Sequence, residues 1–201
     1  MIWLITGGTH GIGKALCEHV VEQGHDVVTC SRVDYDISDP KMAEALVHKT
    51  VRLYGQIDVL VNNAAIYERS SVEHTSVDFW NKCIDINLNG TFYMCKYALS
   101  HMKCGKIINV SSYVAQYSPP ERSAYTCSKL AVLGLTETLA KEMPDFNVNA
   151  FSPKKTATRM DIDGTAEVTP EEVAKQIYDL HKYEGTGKYF LGSEEVEWRL
   201  Q

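Results

Sequence analysis

The sequence predicts an α/β fold built on a single, doubly wound parallel sheet with helices on both faces. Short apolar stretches typical of buried parallel strands alternate along the 201 residues with segments whose apolar residues recur at helical spacing. A glycine-rich stretch joins the first strand to the first helix. Because a chain of this length with 44% hydrophobic residues can bury one core, we expect a single domain over residues 1–201.

The first strand-to-helix junction predicts a dinucleotide site. The predicted strand Ile2 to Ile5 runs directly into the stretch Thr6 to Gly13, and the helix from Lys14 to Gln23 stops at Gly24, a residue that often caps helices. Glycines at such a junction let the backbone approach a diphosphate closely. The helix N-terminus adds free N–H groups and a favourable dipole for the anion.

The rest of the chain continues the alternation of strands and helices. Asp39 followed by Pro40 predicts a helix start, because the carboxylate can cap the helix and proline suits its first position. The further predicted strands are Asp26 to Ser31, Ile57 to Asn62, Lys106 to Val110, Phe146 to Phe151 and Lys188 to Leu191, and the predicted helices include Pro40 to Tyr54, Val77 to Asn87, Gly90 to Met102 and the stretch Ser123 to Leu135.

Three polar side chains form a candidate catalytic set. Tyr125 and Lys129 are four residues apart in a helical segment, so they share one face of the helix. Ser112 stands thirteen residues before Tyr125, after an apolar strand whose carboxyl end should face a ligand crevice. A phenol loses its proton near pH 10, so its use as an acid or base near neutrality requires a positive charge beside it. We therefore expect Lys129 to lower the pKa of Tyr125.

A second pair, Tyr178 and Lys182, repeats the same spacing. Thirteen residues before Tyr178 stands Thr165, in a polar stretch that no apolar strand precedes. We therefore interpret Tyr178 and Lys182 as a surface pair.

Taken together, these residues resemble the short-chain dehydrogenase/reductase family. The matching positions, in chain order, are Thr6-Gly7-x-x-x-Gly11-Ile12-Gly13, Asn62-Asn63-Ala64-Ala65, Asn87, Ser112, Tyr125 and Lys129. The resemblance covers most of the chain and implies a Rossmann-like fold. It also implies hydride transfer between a nicotinamide dinucleotide and a carbonyl or alcohol group of a small molecule.

The resemblance assigns a role to each residue of the catalytic set. It implies that Tyr125 is the general acid or base and that Ser112 hydrogen-bonds the substrate oxygen. Ser111 is the competing candidate for this substrate hydrogen bond, and the spacing of thirteen residues to Tyr125 selects Ser112. The resemblance further implies that Lys129 binds the nicotinamide ribose and that Asn87 holds a water linking Lys129 to solvent.

The resemblance also implies which residues bind the dinucleotide. They are Gly7, Thr9, His10, Gly11, Ile12, Gly13, Ser31, Arg32, Asp36, Asn63, Ala64, Tyr125, Lys129, Pro153, Thr156 and Thr158. A carboxylate at the end of the second strand would accept the ribose hydroxyls of NAD, but this chain has Ser31 and Arg32 there. Because a guanidinium suits phosphate oxygens, we expect NADP, with NAD as the alternative.

Two departures from the family pattern affect the expected site. Asp36 resembles the family aspartate near the adenine ring, yet it follows the second strand by only a few residues, so the usual helix between strands two and three cannot fit. We expect that third strand to be reduced or missing and the adenine end of the site to be open. Lys154 replaces the usual glycine after Pro153, and with Lys155 and Arg159 it either attracts an acidic substrate or faces water.

Charge and cysteine content restrict the other classes of function. The net charge of −6 disfavours nucleic-acid binding, and no apolar stretch approaches the length of a membrane span. The six cysteines lack a Cys-x-x-Cys pair, so we expect reduced thiols and no metal site. The first predicted strand begins at residue 2, which leaves no room for a signal peptide, so we expect a cytoplasmic or similarly reducing compartment.

Assembly and substrate follow less directly from the residues. The family resemblance implies a homo-oligomer, either a dimer or a tetramer. Tyr67, Tyr113 and Tyr117 either line an apolar substrate pocket or pack in the ordinary way. Two other classes stay open: a non-enzymatic dinucleotide sensor or scaffold with the same fold would bind nucleotide without turnover, and a protein-interaction module would bind no dinucleotide.

Overall fold

A computed structural model describes residues 1–197 of the chain, so the last four residues of the predicted domain lie outside the described part. The strands are β1 (Ile2–Thr6), β2 (Asp26–Cys30), β3 (Val59–Asn62), β4 (Gly105–Val110), β5 (Phe146–Ser152), β6 (Tyr189–Leu191) and β7 (Glu194–Val196). They form one sheet in the order β2-β1-β3-β4-β5-β6-β7. All neighbouring strands are parallel except β6 and β7, which are antiparallel. The predicted fold class is confirmed.

Helices cover both faces of this sheet. They are α1 (Gly11–Glu22), α2 (Pro40–Tyr54), α3 (Val77–Ile84), α4 (Gly90–Leu99), α5 (Val114–Tyr117), α6 (Ser123–Glu142) and α7 (Pro170–Leu180), and a π-helical turn, Asp85–Asn89, joins α3 to α4. The bounds agree with the predicted elements to within a few residues, although α6 continues past the predicted stretch. None of the helices within the described residues combines the length and the apolar character needed to cross a membrane.

The central strand β1 shows why two helix layers form. Its side chains alternate, so Trp3 and Ile5 pack with α1 and α7 whereas Leu4 packs with α2 and α4 on the opposite face. Because both faces of β1 are covered, all five residues of the strand are buried. This arrangement fixes the carboxyl ends of the central strands at one edge of the molecule, beside the N-terminus of α1.

The interpretation of Tyr178 and Lys182 as a surface pair is wrong for Tyr178. Tyr178 is buried in the cluster between α1, α7 and the sheet, and its ring lies 5.7 Å from the ring of Trp3, nearly parallel to it. Lys182 is exposed and forms an ion pair with Asp179 at 2.6 Å. Tyr178 is buried because the apolar face of α7 packs against β1. The polar stretch before α7 did not indicate this packing.

The chain passes from β2 to α2 without an intervening strand in the described residues. The main chain turns at Ser31, whose carbonyl accepts from the N–H groups of Asp34 at 3.2 Å and Tyr35 at 2.9 Å. As predicted for the helix start, the Asp39 carboxylate caps α2 by accepting from Lys41 N at 2.9 Å. β2 therefore forms the edge of the described sheet on this side.

Candidate active site

Two adjoining depressions lie at the carboxyl ends of the parallel strands. The larger is a cleft of about 440 Å³ that extends from the loop after β1 to the end of β4, and the smaller is a pocket of about 100 Å³. The two share five lining residues: Ile12, Tyr125, Pro153, Thr158 and Met160. Tyr125 therefore stands where the cleft meets the pocket.

The glycines after β1 bring the backbone of this loop close to the helix N-terminus. Gly7 and Gly11 have φ angles of +72° and +50°, which other residues rarely adopt. A Cβ on Gly13 would lie 2.2 Å from the Gly7 carbonyl oxygen, so no side chain fits there. The Asn63 amide braces the loop by donating from Nδ2 to the Thr6 carbonyl at 3.0 Å. The N-terminal N–H groups of α1 thus face the cleft in the arrangement that suits a diphosphate.

The structure brings together nearly all residues that the sequence predicts for dinucleotide binding. Those lining the larger cleft are Gly7, Thr9, His10, Gly11, Ile12, Gly13, Ser31, Arg32, Asp36, Asn63, Ala64, Tyr125, Lys129, Pro153 and Thr158. Thr156 lines the smaller pocket instead. The cleft also contains Tyr35, Ile37, Ile66 and Met160, which the sequence reasoning missed. These residues lie in irregular segments, where no repeating pattern marks a lining side chain.

The end of β2 presents Arg32 and Asp36 to the cleft, and Asp34 lies next to Ser31 without lining the cleft. The Ser31 hydroxyl donates to Asp34 Oδ2 at 2.8 Å. Arg32 Nε lies 4.0 Å from Asp36 Oδ2, and the arginine side chain is 59% exposed. An ion pair this long and this exposed contributes little energy, so the guanidinium can still bind another anion.

Lys129 is almost fully buried below Tyr125. Its ammonium donates to the Val110 carbonyl at the end of β4, with Nζ 2.7 Å from the oxygen, and it lies 5.8 Å from the centre of the Tyr125 ring. Burial lowers the pKa of Lys129 to about 8, because desolvation disfavours the ammonium. The lysine therefore still carries its charge for most of the time at pH 7.

The pKa of Tyr125 is raised to about 12, opposite to the direction that the sequence predicted. Desolvation of the phenol is the largest cause, a hydrogen bond from the Ser112 hydroxyl acts in the other direction, and the neighbouring Cys83, Tyr113 and Tyr67 raise the pKa further. The protein groups around Tyr125 thus keep the phenol protonated at pH 7. Exclusion of solvent, which the residue spacing does not report, decides the direction of this shift.

The two serines after β4 have different partners. The Ser111 hydroxyl donates to the main-chain carbonyl of Lys129 at 2.9 Å and so ties α6 to the sheet. Ser112 lines the smaller pocket together with Tyr125, which its hydroxyl contacts, and the same hydroxyl accepts a long hydrogen bond, 3.4 Å, from Val114 N. Ser112 thus lies beside Tyr125 in the pocket, and its role in binding a substrate oxygen stays a prediction.

Asn87 lies fully buried in the π-helical turn and joins three segments. Its Oδ1 accepts from Ile66 N at 2.8 Å, and its Nδ2 donates to Ile66 O at 3.0 Å and to Ser128 Oγ at 3.1 Å. The Ser128 hydroxyl in turn donates to the Tyr125 carbonyl at 2.7 Å. The Asn87 side chain thus connects the segment after β3 to the helix that carries Tyr125. The water-holding role of Asn87 stays a prediction.

Aromatic rings and cations line the smaller pocket. The ring centres of Tyr67 and Tyr125 are 5.1 Å apart, and Tyr113 lies beside them. Tyr117 is 63% exposed and is not among the lining residues, so two of the three candidate tyrosines line the pocket. Three cations, Arg122, Lys154 and Lys155, also line it.

An ion-pair network adjoins this pocket through Arg122, one of its lining residues. Arg69 contacts Glu121 and Asp163, with nitrogen to oxygen distances of 2.6 Å in both pairs. Arg122 Nη2 lies 3.3 Å from the other oxygen of Asp163. The network thereby holds the segment around Asp163 against the residues that precede α6.

Within residues 1–197, no group of three or more histidine, cysteine, aspartate or glutamate side chains is placed to hold a metal ion. The six cysteines are free thiols.

Comparisons with known proteins agree with this geometry. A family model described as short chain dehydrogenase matches residues 31–168, over half of the chain. An uncharacterized oxidoreductase of Thermotoga maritima is 34% identical in an alignment 204 residues long. The alignment covers 87% of this chain and 79% of the relative.

Two solved structures have the same fold. The ligand-free aldohexose dehydrogenase of Thermoplasma acidophilum superposes with a TM-score of 0.86 and 28% identity, covering 96% of this chain and 93% of the other. A 3-ketoacyl-(acyl-carrier-protein) reductase from Brucella melitensis, complexed with NADH, has a TM-score of 0.87 and 22% identity, covering 94% of this chain and 95% of the other.

Proposed function

The chain belongs to the short-chain dehydrogenase family of oxidoreductases, and on that premise we propose that it transfers a hydride between NADP(H) and a carbonyl or alcohol group of a small molecule. Tyr125 is the proposed general acid or base. The observation that carries the proposal is the position of Tyr125, where the larger cleft meets the smaller pocket with Lys129 and Ser112 beside it.

The larger cleft fits a nicotinamide dinucleotide. Its glycine loop leaves no room for a Cβ at Gly13, and the N-terminus of α1 offers N–H groups to a diphosphate. The bound dinucleotide supplies or accepts the hydride. Lys129, Asn63 and Ala64 line the same cleft, where they would hold its ribose groups.

The residues around Tyr125 suit proton donation during carbonyl reduction. Because the pKa of the phenol is about 12, the proton is present at pH 7. As the carbonyl carbon accepts the hydride, the O–H bond of Tyr125 breaks and the substrate oxygen gains the proton, which gives the alcohol. The Lys129 ammonium then stabilises the phenolate electrostatically, and Ser112 orients the substrate oxygen by a hydrogen bond.

Tyr125→Phe tests this assignment, because it removes the acidic proton and leaves the ring. We expect turnover on a panel of carbonyl compounds, read by NADPH absorbance, to fall by about a hundredfold or more, while dinucleotide affinity changes little. Tyr117→Phe is the matched control, since Tyr117 is exposed and lies outside the pocket. Unchanged turnover in Tyr125→Phe would refute the role of Tyr125. Dinucleotide binding without turnover of any compound would instead favour a sensor or scaffold.

The preference for NADP(H) rests on Arg32, whose exposed guanidinium stands at the adenine end of the cleft. We expect Arg32→Ser to raise the KM for NADPH about tenfold, the effect of losing one charged hydrogen bond, and to change the KM for NADH little. Asp34 opposes a 2′-phosphate because its carboxylate binds Ser31. Asp34→Asn should therefore lower the KM for NADPH. Equal changes for both dinucleotides would contradict the preference.

We also propose that the protein is a homo-oligomer, a dimer or a tetramer, in a reducing compartment such as the cytoplasm. Val77, Trp80 and Phe92 on α3 and α4 are exposed apolar side chains that a second copy would cover, and the six thiols are free. Analytical ultracentrifugation tests the assembly. The net charge of −6 argues against a nucleic-acid partner.

A further inference from the structure

We infer that the smaller pocket selects a substrate that carries a carboxylate, so that the compound turned over is a small oxoacid or hydroxyacid. This inference rests on the proposed function, because it concerns the compound that reacts at Tyr125. The observation behind it is the placement of three cations, Arg122, Lys154 and Lys155, which line the smaller pocket. Within the described residues, none of the three lines the larger cleft.

Lys155 is the first of these cations to consider. Its main chain is fixed, because its carbonyl accepts from Glu167 N at 2.7 Å and Val168 N at 3.1 Å. Its side chain is half-buried and has no ion pair or hydrogen bond to any residue of the described chain. Lys154 is exposed and is likewise unpaired within the described residues. An ammonium without an acidic partner is available to an anionic ligand.

Arg122 adds a directional donor to the same pocket. Its side chain is 13% exposed, Nη1 donates to the Pro120 carbonyl at 3.1 Å, and Nη2 lies 3.3 Å from Asp163 Oδ2. The guanidinium also lies over the Tyr67 ring, 5.9 Å from its centre. Because a guanidinium has five N–H donors in a planar fork, these contacts still leave donors for a ligand. Asp163 neutralises Arg122 only in part, because its other oxygen binds Arg69 at 2.6 Å.

One acidic side chain, Asp161, also lines the pocket, but its carboxylate is already bound. Its two oxygens accept from the main-chain N–H groups of Thr165 and Ala166, both at 3.1 Å. The pocket therefore has an excess of positive charge with no internal partner for Lys155. That charge sits beside Tyr125 and Ser112, which points to an anion on the same compound as the reacting carbonyl.

The phosphates of the dinucleotide do not account for these cations. The diphosphate would lie at the N-terminus of α1 and the 2′-phosphate at Arg32, and both positions belong to the larger cleft. The pocket volume of about 100 Å³ accommodates a small compound. A carboxylate matches the Arg122 fork and adds little volume.

Paired substrates test the inference on the intact protein. Short-chain and cyclic oxoacids would be compared with their methyl esters, using NADPH oxidation as the readout. We expect kcat/KM to be about tenfold higher for the reactive acid than for its ester, equivalent to about 1.4 kcal/mol. Lys155→Met should lower kcat/KM for the acid and so remove most of this ratio. The value of kcat/KM for the ester should stay within about twofold of that of the parent protein. Lys141→Met is the control, because Lys141 is exposed and paired with Glu137 away from the pocket.

The outcomes separate this inference from the proposed function. Equal kcat/KM values for acids and esters, or equal effects of Lys155→Met on both, would overturn the inference and leave the proposed function standing. If no compound is reduced, the proposed function fails, and calorimetry with the dinucleotide present then tests the anion site by itself. Tighter binding of short carboxylates than of their amides, lost in Lys155→Met, would support that site. Absence of such binding would overturn it.

Discussion

At Gly13 one absent Cβ decides how closely α1 can approach the loop after β1. The added atom would lie 2.2 Å from the Gly7 carbonyl oxygen and 2.5 Å from Asn63 Nδ2. Gly8 is equally restricted, since its Cβ would meet Thr29 Oγ1 at 2.1 Å. Both contacts are with atoms that hold the loop in place, so a side chain at either position must displace the loop or α1.

We expect Gly13→Ala to lower the free energy of unfolding by about 1 to 3 kcal/mol and to weaken dinucleotide binding at least about tenfold, because the loop must shift to relieve the clash. Urea denaturation and fluorescence titration with NADPH measure the two effects. Lys14→Ala, one residue along the same helix and exposed, should change stability by no more than about 0.5 kcal/mol. Parent-like dinucleotide affinity in Gly13→Ala would show that the loop tolerates the displacement.

At the scale of elements, the π-helical turn Asp85–Asn89 has the clearest consequence for the site. Such turns are rare in proteins, and many of those that occur lie at functional sites. Here the turn places the Asn87 side chain between the segment after β3 and α6, where it binds both main-chain groups of Ile66. The position of Tyr125 on α6 therefore depends on a contact between elements far apart in the chain.

Asn87→Ala should lower the free energy of unfolding by roughly 2 to 3 kcal/mol, because it removes the hydrogen bonds of the buried Asn87 amide to the N–H and C=O groups of Ile66 and to Ser128. It should also lower kcat, since α6 loses its link to Asn87 through Ser128. Asn89→Ala is the control in the same turn, because the Asn89 amide makes an exposed hydrogen bond to Asp85 and no other within residues 1–197. The contact between Asn87 and Ile66 would be unimportant if the two variants had equal stability in urea.

Local sequence predicted most elements but not which faces they bury. Asp39 and Pro40 predicted the start of α2 correctly, because a helix cap is decided by adjacent residues. Tyr178 was misjudged, because its burial depends on Trp3, on a strand at the other end of the chain. The spacing of Tyr178 and Lys182 carried no information about that partner.

At the scale of the whole molecule, a group of aromatic rings and histidines joins β1, α1 and α7 at the opposite edge of the sheet from the cleft. Trp3 packs against Tyr178 and His181, whose ring centres lie 5.7 Å and 5.1 Å from it. His25 Nε2 lies 3.3 Å from the Tyr178 hydroxyl. Burial lowers the pKa of His181, and the nearby Lys182, His25 and Lys106 act in the same direction against a hydrogen bond to the Tyr178 carbonyl.

This lowered pKa predicts a loss of stability in mild acid. The unfolded chain binds a proton at His181 near pH 6.5, whereas the folded protein binds it only at lower pH. The contribution of neutral His181 to the free energy of unfolding is therefore complete above about pH 6.5 and declines as the pH falls below that value. Urea denaturation between about pH 8 and pH 5 should show this decline, and His181→Gln should reduce it. Identical pH dependence in the parent and in His181→Gln would contradict the assignment.

The sequence by itself determined the alternation of strands and helices, the glycine loop and the pairing of Tyr125 with Lys129, because each follows from residues close together in the chain. Only the tertiary structure decided that burial raises the pKa of Tyr125 and that Arg122 and Lys155 share one pocket with it. Desolvation and the meeting of distant charges depend on how the elements pack, and no local spacing records that packing.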